Sequence, residues 1–186
     1  MKSVIVIGID PGIANTGFGV VRTSGERMVA LDGGVIEVPS DLSPEQRLVR
    51  LHDSLGELIR WHEPKAMAIE ELFFGKNVGS AQSVGEARGV TLLAAARHAV
   101  PCFDYTPQAV KKAVCGSGSA DKEQVQRMVA SLLGLPEPPT PDHAADAFAV
   151  AICHAGTAGP RNAVSHFGRP RAGTRSALAR RQRLAG

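Results

Sequence analysis

Cysteine is scarce: Cys102, Cys115 and Cys153 are the only three in 186 residues, and no two form a CxxC pair. Neither a disulfide framework nor a cysteine-held zinc site organises such a chain, which fits a reduced, cytoplasmic setting. Long apolar runs are missing as well. None approaches the roughly 20 residues that span a bilayer. The amino-terminal apolar stretch is too short for a signal peptide and ends on Asp10 without a small-residue cleavage site. The expectation is a soluble protein with no membrane partner. Internal repeats are absent. So is acid from residues 157–186, where seven arginines stand unopposed, while residues 1–156 carry 14 Lys and Arg against 18 Asp and Glu. The chain therefore divides into a globular domain, 1–156, and a basic tail, 157–186. A Gly/Ala/Pro/Ser-rich tail cannot bury a core, so it is read as disordered. Its charge suits a polyanion such as nucleic acid, or else merely solubilises the chain.

What is present begins with VIVIGIDPGIANTG at residues 4–17. The run 4–9 is almost wholly apolar and β-branched or Gly, the pattern of a strand buried on both faces. Asp10 then sits at the carboxyl end of a core strand, where open α/β sheets keep their ligand sites, although an Asp-Pro-Gly also opens ordinary turns. Strands over 17–23 and 28–38 follow, joined by a hairpin near Ser24-Gly25. Ser43, Pro44 and Gln46 form a capping box ahead of a stripe of Leu48, Leu51, Leu55, Leu58 and Ile59, so a helix runs to Pro64. AMAIE, 66–70, is a second core strand ending on a carboxylate. A small-residue helix over 80–98, a strand over 102–105 and a helix opened by Thr106-Pro107 come next. The flexible CGSGS, 115–119, precedes an amphipathic helix bearing Val125, Met128, Val129 and Leu132. Thr140-Pro141 is read as the cap of a last helix. Three meandering strands followed by βα units predict a mixed sheet with helices on both faces.

Glu70 and Asp146 are the natural partners for Asp10. Glu70 ends the second core strand, and His143 and Asp146 share a helical face at spacing i, i+3. Clustered carboxylates repel unless a cation holds them, and oxygen-rich ligand sets suit Mg²⁺ or Mn²⁺. Position leaves three points open. Glu71 is as acidic as Glu70, Asp142 is as well placed to favour a helix amino terminus, and His143 also reads as a helix-face histidine.

GIDPGIANTGFGV, AIEELFFGKN, ARGV, QAVKKAVCGSGSADK and DHAADAFAVA, in this order, resemble the RuvC family of bacterial Holliday-junction resolvases. The likeness runs from about Ile5 to His154. It implies an α/β, ribonuclease-H-like fold with a mixed five-stranded sheet, and a cytoplasmic, nucleoid-associated homodimer that nicks four-way DNA junctions symmetrically. RuvA and RuvB are the implied partners in branch migration, and two Mg²⁺ or Mn²⁺ ions per site are the implied cofactors. By motif, Asp10, Glu70 and Asp146 are the catalytic, metal-holding acids, and the family position is Glu70 rather than Glu71. His143 stands where some members have a carboxylate, so a neutral nitrogen would replace one anionic ligand. Phe73 falls where members place an aromatic residue among the bases at the crossover, and Lys111 and Lys122 match basic positions suited to phosphates.

Two other classes share a GID-like start. Actin-like phosphotransferases need two such domains and a second glycine-rich phosphate turn, neither of which 186 residues provide. Against ribonuclease-H-like RNA-processing nucleases, the long GSGSADK loop and the HAAD helix favour the resolvase. A junction-binding module without catalysis would not need the acidic set.

Overall fold

The computed structural model describes residues 3–71, 78–157 and 164–165. Strands β1 (Val4–Asp10), β2 (Asn15–Ser24) and β3 (Arg27–Glu37) form an antiparallel meander. Gly25 makes its hairpin turn in the left-handed region, at φ 64°. Strand β4 (Ala66–Glu70) runs parallel to β1, and β5 (Cys102–Tyr105) runs parallel to β4. The sheet is mixed, as expected, and these five strands lie in the order β3-β2-β1-β4-β5. A two-residue strand, β6 (Val164–Ser165), adds antiparallel to β5 at that edge. It lies within 157–186, the segment read as tail.

Among the described residues, five helices cover the two faces: α1 (Pro44–His62), α2 (Val78–Arg97), α3 (Pro107–Cys115), α4 (Lys122–Leu133) and α5 (Asp142–Gly156). At the start of α1, the Ser43 backbone N–H donates to Gln46 Oε1 at 3.1 Å. Leu51, Leu55 and Ile59 are buried, and Glu63 ends the helix at φ 46° ahead of Pro64. This stripe and Ala87, Ala94 and Ala95 of α2 pack on Ile7, Ile9, Met67 and Ile69. Burying a leucine such as Leu51 or Leu55 is worth about 1.5–3 kcal/mol. On the opposite face, α3, α4 and α5 pack on Val6, Val21, Ala68 and Tyr105.

One cap differs from expectation. Thr106 accepts from the Ala109 N–H at 3.2 Å and caps α3, but Thr140 does not cap α5. Pro141 itself takes the N-cap place with extended backbone, φ −71° and ψ 176°. Thr140 is thereby set one residue too far out for its hydroxyl to meet the first-turn N–H groups.

Glycines in the strands decide how closely α5 approaches the sheet. A Cβ on Gly8 would overlap the Ala147 carbonyl, and one on Gly17 would overlap the carbonyl of His143. Gly19 and Gly33 leave room for the Phe148 ring. This close seating carries the first turns of α5 over the end of β1.

Candidate active site

Strand alternation sorts the carboxylates. Val6 packs toward α5 and Gly8 touches it, so Asp10 has the same parity and meets that helix, whereas Ile7 and Ile9 belong to the other core. In β4, Ala68 belongs to the α5 side and Met67 and Ile69 to the other, which aims Glu70 at α5. Glu71 has the opposite parity and is exposed, and its backbone N–H donates to the Tyr105 carbonyl at 2.8 Å. Parity thus selects Glu70, as the motif does.

His143 and Asp10, 133 residues apart, are in direct contact. The imidazole Nδ1 is 2.7 Å from Asp10 Oδ2, a hydrogen bond the carboxylate accepts. Asp146, one helical turn on, lines a cavity of about 220 Å³ with Glu70, Lys111 and Lys122, walled by Val110 and Ala149. Two sequence-predicted acids and both sequence-predicted lysines therefore share one small chamber. A larger groove of about 550 Å³ between β3 and α1, lined by Asp32, Arg50 and Trp61, holds none of these residues. Phe73 lies outside the described residues.

The chamber is electrostatically tense. Burial pushes the Glu70 carboxyl up to about 7, and the neighbouring Asp10 and Asp146 push the same way against Lys111 and Lys122. Burial also raises Asp146, with Lys122 opposing. The Lys122 ammonium is 3.5 Å from Asp146 Oδ2 and 3.0 Å from Asp142 Oδ2. Among the described residues, no three His, Cys, Asp or Glu side chains close on a common point. Asp10 is taken by His143 and Asp146 is drawn to Lys122, as expected when like charges find separate partners. Gln126, which sequence reasoning did not single out, donates to Asp142 Oδ1 at 2.9 Å. Its signal was available in retrospect, because Lys122 and Gln126 are four apart on one face of α4.

A pH effect follows from Glu70. Its folded value near 7 exceeds the ordinary 4.5, so the folded chain holds the proton more tightly than the unfolded chain. Without metal, that contribution to stability is fully present below about pH 4.5 and is lost as pH rises through 7. Glu70→Gln should therefore stabilise the chelator-treated protein at pH 8 by about 2 kcal/mol, after allowance for solvent screening, and by little at pH 5. Chemical denaturation at the two pH values checks this.

The family model described as "Crossover junction endodeoxyribonuclease RuvC" matches residues 6–154. The protein of that name from Rubrobacter xylanophilus is 51% identical over 168 residues, which is 90% of this chain and 93% of that one. Its namesake from Pelotomaculum thermopropionicum is 50% identical over 151 residues, 81% of this chain and 92% of its own. Among solved structures, Thermus thermophilus RuvC in complex with a Holliday junction substrate is 40% identical with a TM-score of 0.78. That match covers 82% of this chain and 93% of the other. The yeast mitochondrial Holliday junction resolvase Ydc2, at 13% identity and a TM-score of 0.56 over 80% of this chain and 77% of its own, shares the fold.

Proposed function

This chain belongs to the RuvC family of crossover junction endodeoxyribonucleases, and from that premise we propose that it resolves four-way DNA junctions by two symmetric nicks, with Asp10, Glu70, His143 and Asp146 at the cutting centre. The observation that carries this reading is the chamber in which half-buried Glu70 and Asp146 face Lys111 and Lys122 beside the Asp10–His143 pair.

Family membership brings dependence on a divalent metal. The donor set fits one: a half-buried carboxylate raised to about 7 by burial, and further by its like-charged neighbours, is a group that a cation would relieve. Asp10 would hold both of two ions, Glu70 one of them, and His143 and Asp146 the other. A divalent metal held there would supply activation of the attacking water and stabilisation of the departing 3′ oxygen, consistent with a 5′-phosphate product. The lysines do the rest. Lys111 and Lys122 place ammonium groups where the scissile strand's phosphates would enter, and binding there fixes the strand for in-line attack. His143 contributes an uncharged nitrogen, which Mn²⁺ accepts more readily than Mg²⁺. Phe73 is assigned to the bases at the crossover. No described helix is long and apolar enough to cross a membrane, and we place the protein at the nucleoid, where RuvA and RuvB would deliver the junction.

Two opposed nicks need two centres, so the working unit is an isologous dimer. Helix α2 offers the face. Among the described residues, Gly85 and Gly89 have nothing within 4 Å of where a Cβ would stand, and Leu93, four residues further on, is 54% exposed. A side chain at Gly85 is therefore accommodated within one chain, and its effect reads out at contacts between chains. Gly85→Leu should shift sedimentation toward monomer without lowering the melting temperature of the monomeric domain. An unchanged dimer would move the interface elsewhere.

The segment 157–186 serves as a DNA arm. Removing 166–186, which keeps Val164–Ser165 on the sheet edge but deletes six arginines, should weaken junction and duplex binding alike and flatten the salt dependence. A selective loss of junction preference would assign it a structural role. Competition between a synthetic four-way junction and its component duplexes tests the proposed function itself. Tight binding to the junction alone is expected, and equal affinity for both would count against it.

A further inference from the structure

Asp142 stands beside the cutting centre, yet both its oxygens are engaged by α4. Lys122 Nζ is 3.0 Å from Oδ2, and Gln126 Nε2 donates to Oδ1 at 2.9 Å. Lys122 opens α4, directly after Asp121, whose side chain caps the helix by accepting from the Gln124 N–H. Gln126 lies one turn later on the same face. Two groups of one helix thus fix the Asp142 carboxylate, and the carboxylate in turn fixes Lys122. The same ammonium reaches Asp146 Oδ2 at 3.5 Å. Lys122 is therefore shared between an acid outside the chamber and an acid that lines it.

We propose that Asp142 is a positioning residue that draws Lys122 off Asp146, leaving Asp146 available to a divalent cation. This rests on the reading of Asp146 as a cation ligand. The physical reason is competition for one carboxylate. A cation arriving at Asp146 displaces the ammonium, and an ammonium without another partner would stay on Asp146 or face the cation as a like charge. Asp142 supplies that partner within reach, without movement of either helix. The Lys122–Asp142 pair is exposed, at 54% and 64%, so its influence is that of a surface ion pair: two- to fivefold, by about the measured range for such pairs.

The test is Mn²⁺ binding to the full chain without DNA, read from the free-Mn²⁺ electron paramagnetic resonance signal. Asp142→Asn should weaken binding by about two- to fivefold, whereas Asp142→Glu should retain it. Gln126→Ala, which loosens the carboxylate, should produce a smaller change in the same direction. Lys122→Met should tighten binding, and in that background Asp142→Asn should have no further effect. An equal loss from Asp142→Asn with and without Lys122 would mean that Asp142 acts through its own charge or as a ligand, which overturns the proposal. So would the absence of any effect in either background. Asp10→Asn tests the underlying reading separately: if it leaves Mn²⁺ binding intact, the cation site itself is misassigned.

Discussion

Asp10→Asn, Glu70→Gln and Asp146→Asn should each lower junction nicking by about 10³-fold or more, while affinity for the junction stays within about threefold. The separation follows from charge. Carboxylates repel phosphate and, on the proposed reading, would hold cations and orient the attack, whereas affinity would come from Lys111, Lys122 and the arginines of the tail. Amide replacements keep each side chain's size, so packing around the chamber is preserved. His143 should behave differently. His143→Asp is expected to stay active and to shift the metal preference from Mn²⁺ towards Mg²⁺, and His143→Ala to lose most activity, because the imidazole is the group that meets Asp10. Parallel gel-shift and cleavage assays in each metal read all five variants. Full nicking by any carboxylate variant would remove that residue from the mechanism.

The second large effect concerns residues with no functional group. Gly8→Ala should destabilise the domain by about 3 kcal/mol, near a 6–12 °C fall in melting temperature, because the new methyl meets the Ala147 carbonyl and the Ala151 nitrogen. Those are backbone atoms and cannot rotate away, so α5 must lift. Gly17→Ala pushes on the carbonyl of His143 itself, and the imidazole then moves off Asp10. A shift of about 1 Å at that point should cost roughly 100-fold in nicking. Gly85→Ala is the stability control within one chain: among the described residues nothing lies within 4 Å of its Cβ, and the folded domain should gain about 0.5–1 kcal/mol. Thermal melts and cleavage rates of the three variants check the set.

Much of this was legible in the residues themselves. The strands carrying Asp10 and Glu70 announce themselves as apolar runs that stop on a carboxylate, and period-two alternation explains why Glu70 and not Glu71 faces the helix. The capping box at Ser43 and the stripe ending at Ile59 mark α1, because both are local signals. Contacts across the chain were less visible. Gly8 and Gly17 fall in runs that read as strands, yet their role is to let the helix that begins at Asp142 lie close, which no local pattern encodes. Thr140 looked like a cap because Ser and Thr before Pro often are, but Pro141 took that place. Asp142 could be read as a ligand or a helix-end charge. Only its bonds to Lys122 and Gln126 distinguish those from a third role.

The most direct measurement is strand-by-strand mapping of products from a synthetic four-way junction incubated with the full chain and Mg²⁺ or Mn²⁺, with a chelator control. The predicted result is a pair of nicks at symmetry-related positions in two opposed strands, each sealed by ligase because it carries a 5′-phosphate and a 3′-hydroxyl, with none in the chelator. Cutting of plain duplex at the same rate, single unpaired nicks, or cleavage that persists without metal would contradict it.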